Sequence, residues 1–152
     1  MSELVDGINH VAFVTPDLDR LTDFYRRIFD ADAAVTTHAR ARHAFIELAP
    51  SCVLHPFEFP DNRFAAASQQ IFDRGHLDHI AINARTQEAF DTIRQRLIDE
   101  GVSDGTVTDF GAIFSVFFRD PDGMDAEVCV MKEGATWSQA REPDGWKPPD
   151  ER

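Results

Sequence analysis

Two stretches decide the fold, "INHVAFVTPDLDRLTDFYRRIFDA" at residues 8–31 and "LDHIAINARTQEAFDTIRQRLIDE" at residues 77–100, because they carry one pattern twice. His10 and His79 are 69 positions apart (79 − 10), and the same offset superimposes the apolar positions that follow them. Each stretch predicts a strand followed by an amphipathic helix. An internal repeat of this kind predicts two equivalent structural modules.

The remainder of each half predicts further strands, so that both halves have the order β-α-β-β-β. The first half continues with "AAVTTHARARHAFIELAPSCVLHPFEF", and the second with "AIFSVFFRD" and "DAEVCVM" around the turn sequence Asp120-Pro121-Asp122-Gly123. We therefore predict an α+β fold in which two paired βαβββ modules form a curled mixed sheet around a cavity. Residues 1–132 form this single domain, with module one at about 7–60 and module two at about 76–131.

The C-terminal segment, residues 133–152, is rich in proline, glycine and charge. Such a composition predicts an irregular acidic tail. Trp137 and Trp146 are the residues expected to hold parts of it against the domain.

Composition excludes several classes of partner. The chain has 152 residues, 43% of them hydrophobic, with a net charge of −12 and a pI near 4.7. This charge disfavours nucleic acid and anionic membranes, and no apolar run is long enough for a membrane span. The N-terminal residues lack a secretion signal, and two cysteines fit a reducing compartment. We predict a cytoplasmic protein that binds a small molecule.

The strands place four polar side chains at matched positions. His10 and His79 each lie inside an apolar strand, and Glu58 and Glu127 each follow 48 residues later (58 − 10 and 127 − 79). Singly, each histidine would be a core residue and each glutamate an outward-facing strand residue. As a matched set they predict a site for a divalent transition metal (Zn, Ni, Co, Mn or Fe), because a buried glutamate needs a metal or a charged partner.

The fourth ligand is the least fixed of the set. The repeat offset selects Glu58, whereas other placements of the turn at Pro50 bring His55 or Leu54 to this position. With Leu54 there, two histidines and one carboxylate would remain.

Several neighbouring residues have two readings each. His76 and Asp78 flank His79, and they orient it, line a pocket or lie on a loop surface. Cys129 is a packing residue or a reactive thiol near the metal. A basic cluster receives an anionic substrate or is a solvated strand end; its members are His38, Arg40, Arg42 and His43.

The segments "NHVAFVTPDLDRLTDFYRRIF", "LDHIAIN" and "FFRDPDGMDAEV" resemble the vicinal oxygen chelate superfamily of glyoxalase, bleomycin resistance and extradiol dioxygenase proteins. The resemblance covers residues 7–131. Carried over, it makes His10, His79 and Glu127 metal ligands. It also implies a metal that chelates two adjacent substrate oxygens while Glu127 or Glu58 moves a proton.

The resemblance leaves three function classes open. The first is a glyoxalase-like lyase or an epimerase that transfers a proton next to a carbonyl, and the segment at residues 9–25 is the more epimerase-like. The second is an Fe(II)-dependent extradiol-type dioxygenase, and the third is a metal-free binding or resistance protein. Relatives of this fold imply a homodimer.

Overall fold

The structure is a computed structural model that describes residues 4, 8–38, 41–62 and 77–147. Its contacts divide the chain into two compact units, Met1–Ala67 and Ser68–Arg152, and each is described by itself. Most of residues 60–75, between the two predicted modules, and residues 148–152 of the tail lie outside the described residues. Over the ranges described, no helix is long and apolar enough to cross a membrane.

The first unit contains module one, with the predicted β-α-β-β-β order. Its elements are β1 (His10–Val14), α1 (Leu18–Phe29), β2 (Asp32–His38), β3 (Ala41–Ala49) and β4 (Cys52–Glu58). The sheet order is β1-β4-β3-β2, in which β1 runs parallel to β4 and the other pairs are antiparallel.

The second unit contains module two, with the same order. Its elements are β5 (Ile80–Asn83), α2 (Gln87–Asp99), β6 (Val107–Asp109), β7 (Ile113–Arg119) and β8 (Asp125–Met131), followed by a 3₁₀ turn at Trp137–Gln139. The sheet order is β5-β8-β7-β6, with β5 parallel to β8. The predicted α+β fold of two βαβββ modules is confirmed.

The two helices begin at equivalent positions of the repeat. Asp17 caps α1 by accepting from the Arg20 amide, and Thr86, 69 positions later (86 − 17), caps α2 by accepting from the Ala89 amide. Such caps satisfy amides that lack a partner within the helix. The offset therefore holds for the helix starts as well as for the histidines.

Each helix packs its apolar side on one face of its own sheet. In α1 the buried side chains include Leu21, Phe24 and Tyr25, and in α2 they are Phe90 and Leu97. Burying each such side chain contributes about 1.5–3 kcal/mol before entropy costs. The helix side of each sheet is thus the hydrophobic core, and His10, His79 and Glu127 lie on the opposite side.

The turn between β7 and β8 forms as predicted. The Asp120 carboxylate accepts from the amides of Asp122 and Met124, and Gly123 takes a positive φ of 81°. This turn fixes where β8 begins, and with it the position of Glu127.

Candidate metal-ligand pairs

In module two the structure brings His79 and Glu127 together. Glu127 pairs with Ala81 across the parallel β5–β8 ladder, and His79 lies two residues before Ala81 on the same face. Nε2 of His79 lies 2.9 Å from Oε1 of Glu127. Two donors about 2.1 Å from one ion and at right angles to each other lie about 3 Å apart, so this pair fits adjacent positions on one metal.

The other polar atoms of this pair are already engaged. Nδ1 of His79 lies 2.7 Å from a carboxylate oxygen of Asp78, which confirms the orienting reading of Asp78. Oε2 of Glu127 accepts from the hydroxyl of Ser115 at 2.6 Å. Nε2 and Oε1 are therefore the two atoms left to face a metal. Histidine ligands are oriented in this way by a carboxylate on the second ring nitrogen.

The two groups also hold each other's charge. The hydrogen bond to Glu127, helped by Asp78 and opposed by burial, raises the pKa of His79 to about 9. Burial raises the pKa of Glu127, but hydrogen bonds from His79, Ser115 and Cys129 outweigh it and keep the pKa below its ordinary value. Without a metal the pair is an imidazolium–carboxylate ion pair. A metal cation that replaced the proton between Nε2 and Oε1 would be attracted by the same carboxylate charge.

Cys129 shares this face but is a poor nucleophile. Its Sγ lies 3.3 Å from Oε2 of Glu127 and the residue is buried. Burial, together with the Glu127 charge, raises the pKa of the thiol to about 12. Because the thiolate is the reactive form, this favours the packing reading of Cys129 over the reactive thiol.

In module one His10 has the same kind of support as His79. Nδ1 of His10 lies 2.8 Å from the side-chain oxygen of Asn9. Asn9 and Asp78 are again 69 positions apart (78 − 9). When the Asn9 oxygen accepts the Nδ1 proton, Nε2 of His10 is left with a free lone pair. The sequence analysis did not select Asn9, although the repeat offset alone could have pointed to it.

The strand register puts His55, not Glu58, at the position equivalent to Glu127. His55 pairs with Ala12 in the β1–β4 ladder, as Glu127 pairs with Ala81 in the β5–β8 ladder. The offset between His55 and Glu127 is 72 (127 − 55), so the 69-residue offset does not extend through the last hairpin. The predicted equivalence of Glu58 and Glu127 is wrong, because the two modules differ in loop length between helix and last strand.

Glu58 instead lies on the helix side of its sheet. Its Oε2 accepts from the amide of Leu18, the first residue of α1, at 2.7 Å. Arg42 connects it to the same helix, with one nitrogen 3.4 Å from Glu58 and another 2.6 Å from Asp19. Leu54, also on this side, is buried. These contacts give Glu58 a structural task at the start of α1.

His55 lies on the face of His10 and contacts a further histidine. Its ring centroid is 5.4 Å from that of His10, in an edge arrangement. Its Nε2 lies 3.0 Å from Nδ1 of His43, a buried residue. Burial, with smaller contributions from His43 and His10, lowers the pKa of His55. A neutral imidazole is the form that binds metals.

Of the predicted basic cluster, the two side chains that the structure describes have different partners. Arg42 is used by Asp19 and Glu58, whereas His43 faces His55. Arg40, the His38 side chain and His76 lie outside the described residues. Within those described, no group of three or more His, Cys, Asp or Glu side chains is placed to hold a metal; the donors come as pairs within each module.

The part of the chain that contains both donor pairs matches a known protein family. The sequence model of a family described as "Glyoxalase/Bleomycin resistance protein/Dioxygenase superfamily" matches residues 7–128. A 2-epi-5-epi-valiolone epimerase from Actinomyces sp is 29% identical, over 90% of this chain and 85% of that protein.

Two solved structures show the fold. A glyoxylase/bleomycin resistance protein/dioxygenase domain from Frankia sp. EAN1pec superimposes with a TM-score of 0.71 at 21% identity, covering 86% of this chain and 95% of the other. A fosfomycin resistance protein from Listeria monocytogenes, in complex with Mn(II) and sulfate, has a TM-score of 0.59 at 18% identity, over 90% and 98% of the two chains.

Proposed function

This chain belongs to the glyoxalase/bleomycin resistance protein/dioxygenase superfamily, and from that membership we propose that it is a metal-dependent enzyme that transfers a proton next to a carbonyl. The proposed type is an epimerase, with a glyoxalase-like lyase as the neighbouring alternative. The proposed substrate is a small molecule with two adjacent oxygens. The relative named as an epimerase supports the first type.

The observation that carries the proposal is the His79–Glu127 pair. Nε2 and Oε1 face each other at 2.9 Å, while Asp78 and Ser115 occupy the other polar atom of each group. This is the arrangement of an oriented ligand pair.

The proposed ligands are His79 and Glu127 of module two with His10 and His55 of module one. His55 replaces Glu58 because it occupies the strand position equivalent to Glu127. If Nε2–H of His55 donates a hydrogen bond to Nδ1 of His43, the lone pair on Nδ1 of His55 remains to bind the metal. Three imidazoles and one carboxylate suit a transition ion such as Zn, Ni, Co or Fe better than Mg or Ca, which prefer oxygen.

When bound, the metal would supply a Lewis acid for the two substrate oxygens. The chain would supply the base. Glu127 is the proposed proton acceptor, since Glu58 is held by Leu18 and Arg42. The hydrogen bond from His79 keeps the pKa of Glu127 low against its burial. A change of partner for His79 would remove that bond and make the buried carboxylate a stronger base.

Isotope exchange tests this function without a known product. Metal-loaded protein in D₂O should exchange the hydrogen next to the carbonyl of a 2-hydroxyketone, detected by NMR or mass spectrometry. Glu127→Gln should abolish the exchange, and a Gln87→Glu variant on the exposed start of α2 should retain it. Oxygen uptake with a catechol, without exchange, would support the dioxygenase. If metal-loaded protein shows neither exchange nor oxygen uptake, a binding protein is supported.

The proposal includes a homodimer in the cytoplasm, as relatives of this fold imply. Light scattering at working concentration tests the assembly. A monomer would contradict it.

A further inference from the structure

The C-terminal segment is fixed to module two at one close approach. The Arg141 amide donates to the carbonyl of Phe110 at 2.9 Å, and the Lys132 amide donates to Ala112. Gly111 has a φ of +79°, and a Cβ on it would lie 2.2 Å from the carbonyl oxygen of Gln139. Only glycine accommodates both the dihedral and the approach. The tail is therefore held in a defined position against the β6–β7 turn.

The tail and the edge of the sheet together line an open cavity. Residues 106–109, at β6, form one side and residues 143–147 the other, around about 370 Å³. This volume is within the range of small-molecule sites, about 300–1,000 Å³. The predicted pinning role of Trp146 is thereby confirmed, whereas Trp137 is 68% exposed and does not hold the tail.

Aromatic rings connect this cavity to the His79–Glu127 pair. The Trp146 ring lies 5.8 Å from Phe117 and 5.5 Å from Phe110, measured between centroids. Phe117 is opposite Glu127 in the β7–β8 ladder, and its ring lies 6.4 Å from that of His79. The ring of Phe117 therefore contacts both Trp146, which lines the cavity, and His79, a proposed metal ligand.

The chemistry of the lining selects a class of ligand. Asp144 and the Oδ2 atom of Asp109 offer carboxylate oxygens that only accept hydrogen bonds, Thr106 offers a hydroxyl, and Lys147 offers a donor. Lys132 already pairs with Asp109, so the lining has no excess of positive charge for an anion. Hydroxyl groups both donate and accept, and the C–H face of a ring packs on an indole. A neutral, hydroxyl-bearing group therefore matches this lining.

We propose that the cavity between β6 and the tail binds a neutral hydroxyl-bearing group, as the part of the substrate remote from the reacting carbons. The assignment to the substrate rests on the function proposed above. Trp146 is then a specificity-determining residue, and Gly111 is the residue that keeps the tail, and with it the cavity wall, in place.

The fluorescence of Trp146 provides the test. In Trp137→Phe, Trp146 is the remaining tryptophan of the chain. Titration of this protein with myo-inositol should change its emission saturably, with and without chelator, and glucuronate should bind about tenfold more weakly because the carboxylates repel it. A response that does not saturate, or equal binding of glucuronate, would overturn the proposal.

Two further variants in the same background locate the response. Gly111→Ala should displace the tail, shift the emission to longer wavelength and remove the saturable change. Thr106→Val should weaken myo-inositol binding several-fold with no shift, whereas the matched Thr36→Val on β2 should leave it unchanged. Retention of full binding in both Gly111→Ala and Thr106→Val would refute the site. Metal titration of the same proteins distinguishes this proposal from the proposed function. Failure to bind metal, together with intact myo-inositol binding, would count only against the function proposed above.

Discussion

His55 lies opposite Ala12 in the parallel β1–β4 ladder. The equivalent position of module two holds Glu127, opposite Ala81. The two modules therefore share a backbone position and differ in the chemistry they place there, an imidazole in one and a carboxylate in the other. On the present account this asymmetry sets both the metal preference and the location of the base.

Ser115 should matter to the metal through Glu127. Its hydroxyl donates to Oε2 of Glu127 at 2.6 Å and is fully buried, so Ser115→Ala frees the carboxylate to turn. We expect metal affinity to fall roughly 10–100-fold, the range for groups that orient a ligand. Ser103→Ala is the matched control, because it removes a hydroxyl that donates to the carbonyl of Phe117 and spares Glu127. Equal metal affinities of the two variants in calorimetry would count against an oriented ligand pair.

Glu58 should matter to stability and not to the metal. Glu58→Ala removes the acceptor of the Leu18 amide and the partly exposed ion pair with Arg42. We expect the free energy of unfolding to fall by about 1–2 kcal/mol, as for loss of a helix cap. Glu47→Ala, which removes an exposed glutamate elsewhere on the same sheet, should cost less. Denaturant titrations of both variants measure the difference, and equal costs would mean that the cap contributes nothing.

The metal-free protein should lose stability as the pH rises. The pKa of His79 is raised to about 9 by Glu127, so its contribution is complete below the unfolded value of about 6.5 and is lost as the pH passes about 9. At the acid end the same interaction disappears when Glu127, whose pKa is lowered, takes up a proton. The free energy of unfolding of chelated protein should therefore fall between about pH 6.5 and about pH 9. His79→Gln should flatten the profile; an unchanged slope in that variant would assign the pH dependence to other groups.

Cys129 should resist alkylation in the folded protein. Burial and the Glu127 charge raise the pKa of its thiol to about 12, so little thiolate exists at pH 8. Mass spectrometry after iodoacetamide treatment should find Cys129 unmodified until denaturant is added, with urea-unfolded protein as the control. Rapid labelling of Cys129 in native protein would restore the reactive-thiol reading.

The sequence predicted what depends on short-range pattern. Both helices, the strand that carries His10 and the strand that begins directly after His79 follow from periodicity and the repeat. The offset holds over this part because strand, cap and helix adjoin with no loop of variable length between them. The superfamily resemblance is confirmed on the same residues.

The position opposite Ala12 could not be predicted in this way, because it depends on loop lengths. Residues 30–31 join α1 to β2, whereas residues 100–106 join α2 to β6, and the β3–β4 ladder has an irregularity between Glu47 and Ala49. Strand parity says only that His55 and Glu58 lie on opposite faces of β4. The contacts of Glu58 with Leu18 and of His55 with His43 show which face each one occupies.

Metal titration of His55→Ala beside Glu58→Ala tests the central assignment most directly. Co(II), added to metal-free protein and followed by its visible absorption, should bind to about one ion per chain in the unmodified protein. The account predicts that Glu58→Ala retains this binding, and that His55→Ala, His79→Ala and Glu127→Ala each lose affinity by more than the roughly 100-fold typical of an orienting group. Loss of the metal in Glu58→Ala with full retention in His55→Ala would contradict it.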